Sequence, residues 1–293
     1  MRVVDTFRFS ATSLQDFLDC ERRFQLRYVA ELAWPAPETD APGKYEDHAR
    51  LASDLHRLIH QHLLGMPVDV LSGSVSDERL ERWWRAYLES GPRLDRAHVI
   101  PEVTLSIPLA GHRLSARYDA VAFSREGELP RAVIFDWKTF RRRPTRQWLG
   151  DRLQTCVYPF VLAQAGACLN DGCAVDPDQM EMYYWLAEYP EQPERFSYSL
   201  QAYDADAARL ERLVTRIARR IDDAASRGAR DEPWPLTLNV RLCLCCVYRS
   251  LCRRGLVAGS IEEYPGDSET EDTALPSDVD EGAVWGQVQD TVY

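Results

Sequence analysis

Residues 131–143 read RAVIFDWKTFRRR, and the arrangement expected of the rest of the chain follows from them. Ala132 to Asp136 are apolar until the last, so the run predicts a short buried strand ending on an acid. Strand residues two apart share a face, so Asp136 and Lys138 project side by side. Arg141, Arg142 and Arg143 follow at once, with Arg146 close behind. A carboxylate to hold a cation, an ammonium beside it and a basic rim suit chemistry on phosphate. An isolated D-x-K is more often a surface ion pair, so the neighbouring segments decide.

Upstream, LSARYDAV at 114–121 reads as a second strand carrying Asp119. It is the return arm of a hairpin, 99–109 then 112–123, turning at Ala110-Gly111. Adjacent strands bearing Asp119 and Asp136 would converge on one hard cation, and Mg²⁺ takes only one or two protein carboxylates. Downstream, a helix over 145–167 places Gln154 and Tyr158 on one face. Three helices are expected before the hairpin. They cover 10–30, with Cys20 inside it; 44–64, carrying His48, His56, His60 and His62; and 77–89, with Trp83, Trp84, Tyr87 and Leu88 as its core side. Strands at 179–188 and 195–201 and an amphipathic helix at 205–227 complete the pattern. Strands flanked by helices predict an α/β fold, a mixed β-sheet with helices on its faces and an N-terminal helical part.

The formal charge of −11 misleads as an average. From Gly255 onward there are ten Asp or Glu and no Lys or Arg, which leaves −1 for Met1 to Arg254. The body is nearly neutral with local basic clusters, so global charge does not exclude nucleic acid. The segment 260–293 is expected to be a solvated acidic tail, or a mimic of nucleic-acid charge that occupies a basic groove. No run is apolar enough to span a bilayer, so no membrane is expected. The opening MRVVDTFRFS lacks a signal-peptide core, which makes the cytoplasm the expected compartment. In a reducing compartment the eight cysteines are ligands or core residues rather than disulfides.

Taken in order, His56, Asp119, Asp136-Trp137-Lys138 and Gln154-x-x-x-Tyr158 resemble the RecB-like branch of the PD-(D/E)XK nucleases. The resemblance covers residues 10–252, read as one nuclease domain over 1–259 with a helical insertion at 31–98. It implies a restriction-endonuclease-like core in which His56, Asp119, Asp136 and the Trp137 carbonyl hold Mg²⁺ or Mn²⁺. It also implies that Lys138 assists catalysis, that Gln154 and Tyr158 support the site, and that Glu102 has a supporting role. Two positions depart from the family. Ser53 and Ala116-Arg117 stand where glycines are frequent, and His60, one turn on, is a weaker match than His56.

Cys243-x2-Cys246-x5-Cys252 supplies three thiolates within ten residues of segment 241–254, and Cys20 is the natural fourth. Spacing alone admits a [4Fe–4S] cluster or a structural zinc. One cysteine far upstream and three near the end resemble the iron–sulfur staple of AddB-type and CRISPR-adaptation-type nucleases, which implies the cluster. Arg141, Arg142, Arg143 and Arg146 are the expected DNA contacts, with Trp137, Phe140 and Trp148 able to stack on bases or pack in the core. The reading is a metal-dependent deoxyribonuclease, an exonuclease on single strands or DNA ends in repair or CRISPR spacer acquisition. Any unwinding would come from a helicase partner, since no phosphate-loop motif is present. The alternative is a non-catalytic iron–sulfur DNA-binding subunit of a helicase or integration complex.

Overall fold

A computed structural model describes residues 7–32, 42–92, 98–124, 131–227, 232–244 and 246–254, with backbone alone for 42–46. The acidic segment 260–293 and Cys245 lie outside the described residues. The fold is built around β4 (Arg131–Lys138). Its odd-numbered apolar residues Phe135 and Trp137 face one core, and its even-numbered Ala132 and Ile134 face another. That alternation buries Trp137, 2% exposed, and by the same period turns Asp136 and Lys138 to the opposite face. Burying a side chain of this size stabilises by about 3 kcal/mol, which anchors β4 while its acid is presented on the other side.

β4 pairs with β3 (His112–Ser124) on one edge, antiparallel, and with β5 (Met180–Leu186) on the other, parallel. β6 (Glu194–Ser197) extends the sheet beyond β5. β2 (His98–Leu109) runs along β3 as a hairpin closed by Ala110 and Gly111, both at positive φ as the tight turn requires. β1 (Arg8–Ser10) pairs in parallel with residues 113–115 of β3. Because β2 fills one edge of β3, β1 and β4 share the other, and residues 116–119 of that edge pair with neither. The sheet is therefore split beside Asp119.

Helices cover both faces, giving the three layers expected of this pattern. On the Ile134 side lie α1 (Ala11–Asp19), α7 (Leu153–Ala165) and α8 (Leu200–Ser226). Between α1 and the next layer the chain runs through α2 (Glu21–Phe24) and a π-helical turn at Gln25–Val29. On the Trp137 side lie α3 (Pro42–Leu63), α4 (Val68–Gly73) and α5 (Glu78–Ser90), packed through Leu55, Ile59, Trp83 and Trp84. No described helix is long and apolar enough to cross a membrane.

Several boundaries differ from expectation. The helix over 10–30 breaks at Cys20, which is extended at φ −162, ψ 108. Ser10 and Ser13 cap α1 reciprocally, as the Ser-Thr opening led one to expect. The helix over 145–167 is two helices, α6 (Arg146–Asp151) and α7, parted by an extended Arg152. The expected strand 195–201 ends at Ser197, because Ser199 caps α8 through the Ala202 N–H.

Candidate metal centre

The site lies where β3 and β4 part. Their register ends at Ala120↔Phe135, and at the next step the Trp137 N–H donates to Asp119 Oδ2 at 2.7 Å. A side-chain carboxylate thus takes the place of a ladder carbonyl, which satisfies the strand N–H and fixes the acid in the fork. β2 and β3 change course at the same level. Their pairing skips Glu102 and Asp119, and Glu102 has φ +50. Leu114, Ala116 and Tyr118 face the larger core before this point, and Val121 and Phe123 face it after, so the strand changes phase at Asp119. A left-handed non-glycine residue costs about 1 kcal/mol or more. Here that strain accompanies a Glu102 carboxylate delivered to the fork.

His56 reaches the fork from α3. Its Nδ1 is 3.3 Å from Asp119 Oδ1, and its Nε2 is 2.9 Å from the Trp137 carbonyl oxygen. His56, Glu102 and Asp119 offer donor atoms that all lie within 4.8 Å of one another. Arg117 holds Glu102 through two nitrogens on one oxygen, Oε2, at 2.9 and 3.2 Å. Asp136 stands next to this trio. Gln154 Nε2 donates to its Oδ1 at 2.6 Å, and Lys138 Nζ is 3.1 Å from Oδ2. That Oδ2 is buried and makes no hydrogen bond of good geometry.

Electrostatics separates the two aspartates. Burial pushes the Asp136 carboxyl up to about 7; Lys138 opposes this and the Asp119 charge adds to it. Burial acts in the same direction on Asp119, but the His56 ring, the Trp137 N–H and Lys138 bring it below its ordinary value. The pair is therefore one carboxylate held ionised and one close to taking a proton. Two oxygens and an imbalanced charge in a buried fork fit a hard divalent cation, with oxygen donors for Mg²⁺ and the added imidazole for Mn²⁺.

A model of the PD-(D/E)XK nuclease superfamily matches residues 8–253, most of the chain. The chain belongs to that superfamily. A search of curated proteins gives no match. Among solved structures, that titled SSO0001 matches over 85% of this chain and 88% of its own, at 15% identity and a TM-score of 0.38. In this PD-(D/E)XK member the fold brings His56, Asp119, Asp136, the Trp137 carbonyl, Lys138 and Gln154 to one place. The Tyr158 ring packs against Tyr118 at 5.1 Å, and its carbonyl accepts the Tyr118 hydroxyl at 3.0 Å.

The arginines are distributed unevenly. Arg143 and Arg146 both pair with the buried Glu194, and Arg146 also lies over Phe196 at 4.3 Å. Arg142 is exposed, and Arg141 is half-buried. Trp137 and Phe140 are each 2% exposed, so neither offers a face to a base, while Trp148 packs edge-on against Phe140 with Arg152 over its ring. Cys20, Cys243, Cys246 and Cys252 line one cavity together with Arg23 and Tyr248.

One contact had no local signal. α7 has no capping side chain of its own; the Leu153 N–H is taken by Gln15 Oε1 of α1 at 3.0 Å. Gln15 thereby fixes the start of the helix whose second residue, Gln154, holds Asp136. Gln15→Leu is expected to lower metal-dependent nuclease turnover about tenfold, read from initial rates at saturating Mn²⁺.

Proposed function

We propose that this chain is a Mg²⁺- or Mn²⁺-dependent deoxyribonuclease that hydrolyses phosphodiesters in single strands or at DNA ends. The observation carrying this reading is the convergence of His56, Glu102 and Asp119 within 4.8 Å beside the Lys138–Asp136 pair. A bound cation supplies charge against the phosphate and makes its water more acidic. Asp119 holds its negative charge at neutral pH, Gln154 keeps the Asp136 carboxyl oriented, and Lys138 stabilises charge developing on the phosphate oxygens or steers the attacking water. Glu102, held at Oε2 by Arg117, brings a carboxylate oxygen within 4.8 Å of the His56 and Asp119 donors and would hold the same ion.

The direct test is cleavage of labelled single-stranded DNA with Mn²⁺, with and without EDTA. EDTA-sensitive cleavage is expected; DNA left intact under both conditions rejects the reading. Proton competition gives a second check. With the Asp136 carboxyl up at about 7, cation binding must displace a proton below that pH. Apparent Mn²⁺ affinity should then fall by up to about tenfold per pH unit below 7 and level off above it. A flat profile between pH 5.5 and about 8 would remove Asp136 from the ligand set.

We also propose that Cys20, Cys243, Cys246 and Cys252 hold a [4Fe–4S] cluster with a structural role. Their common cavity supports this, and a tetrahedral zinc would use the same four thiolates. A nuclease with such a clasp fits end processing in repair or spacer acquisition, with unwinding left to a separate helicase.

A further inference from the structure

Arg249 is 5% exposed and sits in the turn between Cys246 and Cys252. Its backbone is tied to both cysteines. The Arg249 N–H donates to the Cys246 carbonyl at 3.1 Å, and the Arg249 carbonyl accepts the Cys252 N–H at 3.2 Å. Arg249 lines the cavity that Cys20, Cys243, Cys246 and Cys252 share. Its guanidinium reaches the Leu244 carbonyl from Nη1 at a long 3.5 Å, and its buried Nε makes no hydrogen bond. It forms no ion pair with any described residue. The other guanidinium at the cavity, Arg23, is taken by Asp16 and Asp19 at 2.8 Å each. No carboxylate of a described residue lines the cavity. An arginine keeps its proton, so a buried one must meet an anion or stay in place at a large desolvation cost.

We propose that Arg249 is the counter-charge of a metal–thiolate group in this cavity, and makes the cavity favour a dianion over free thiols or disulfides. Four thiolates around Zn²⁺, or around a [4Fe–4S]²⁺ core, leave two negative charges. Four thiols or two disulfides leave none, and Arg249 then has nothing to offset it. Positive charge beside a cysteine favours the thiolate over the thiol, which is the form a metal takes. This role rests on the four cysteines being ligands, as proposed above, and is the same for iron–sulfur and for zinc.

Arg249→Met and Arg249→Lys, made in the full chain, test it. Co²⁺ affinity is read from the thiolate-to-cobalt absorption that cysteine ligands give and the His–Asp centre does not. It should fall about tenfold or more in Arg249→Met and less than about threefold in Arg249→Lys, which keeps the charge. Metal-free Arg249→Met should melt no lower than metal-free wild type, since the uncompensated charge is gone, but lower than wild type once both are loaded. An equal loss of Tm in the two states makes Arg249 a packing residue and overturns the proposal. With an assembled cluster, Arg249→Met should be harder to reduce, because reduction adds a negative charge. The expected change is about tenfold in the reduction equilibrium, or about 59 mV for one electron. Unchanged Co²⁺ affinity and potential in Arg249→Met overturn the role of Arg249 and leave the cysteine ligands standing. A wild type that gives no thiolate-to-cobalt absorption and takes up no iron overturns both.

Discussion

Asp119→Asn is expected to abolish Mn²⁺-dependent DNA cleavage, by about a thousandfold or more, while the protein stays folded. The choice of Asn separates two jobs that Asp119 does at once. As a scaffold it accepts the Trp137 N–H at 2.7 Å, and as a charge it faces His56 Nδ1 at 3.3 Å. An amide oxygen preserves the first job, so the Tm should change little. Asp119→Ala removes both, leaving the Trp137 N–H of the fork without an acceptor, which costs about 1–3 kcal/mol. The two variants should therefore be equally inactive but differ in stability, with Ala melting about 2–5 °C below Asn. Full cleavage by Asp119→Asn, measured on labelled DNA at saturating Mn²⁺, rejects the assignment of this acid to the ion. Equal Tm values for the two variants would instead show that the fork is held open without it.

The sequence made the strand of Asp136 legible as a short continuous apolar run ending on an acid, and the hairpin of Asp119 through its alternation about a turn at Ala110-Gly111. Which face Trp137 takes was left open by the sequence, and the fold puts it in the core. The α/β layering followed from the order of such segments. The fork was less visible. Nothing local marks residues 116–119 as lacking a partner, since that gap depends on β1 and β4 sharing one edge of β3. The left-handed φ of Glu102 is equally silent, because a Glu between Pro101 and Val103 reads as ordinary strand. Gln15 capping α7 across 138 residues is a tertiary contact with no short-range signature. The basic run shows the opposite failure. Arg143 and Arg146 read as a phosphate rim, yet a single buried acid on the edge strand, Glu194, takes both. Charge patterning identifies cations but not which of them the fold has already paired, and here one carboxylate shared by two guanidiniums leaves one positive charge.

Cys20→Ser should bleach the protein and loosen its C-terminal segment without unfolding the nuclease layers. Wild type prepared without oxygen is expected to be brown with about four iron atoms per chain; a colourless, zinc-containing preparation rejects the cluster. The extent of loosening follows from what else holds this segment. Gln25, 1% exposed in the π-helical turn, donates to the Glu232 carbonyl at 2.7 Å and accepts from the Trp234 N–H at 2.8 Å. The Arg22 N–H donates to the Pro235 carbonyl at 3.1 Å, and the Trp234 ring stacks on Phe24, 11° from parallel. Residues 232–235 are thus pinned to α2 by groups that need no metal. Beyond them the segment carries exposed Leu238 and Val240 and is attached through the Tyr248 hydroxyl on the Leu32 carbonyl at 2.8 Å and through Arg22 beside Cys252. Breaking the clasp should therefore free residues from about 236 onward, with hydrogen exchange rising there and staying slow at Trp234. The loss should be about 3 kcal/mol, or about 5 °C in Tm for a chain of this size. Unchanged exchange between 236 and 254 in Cys20→Ser would mean that the four cysteines share a cavity but no ligand, and that protein contacts such as Tyr248 on Leu32 suffice to hold the segment.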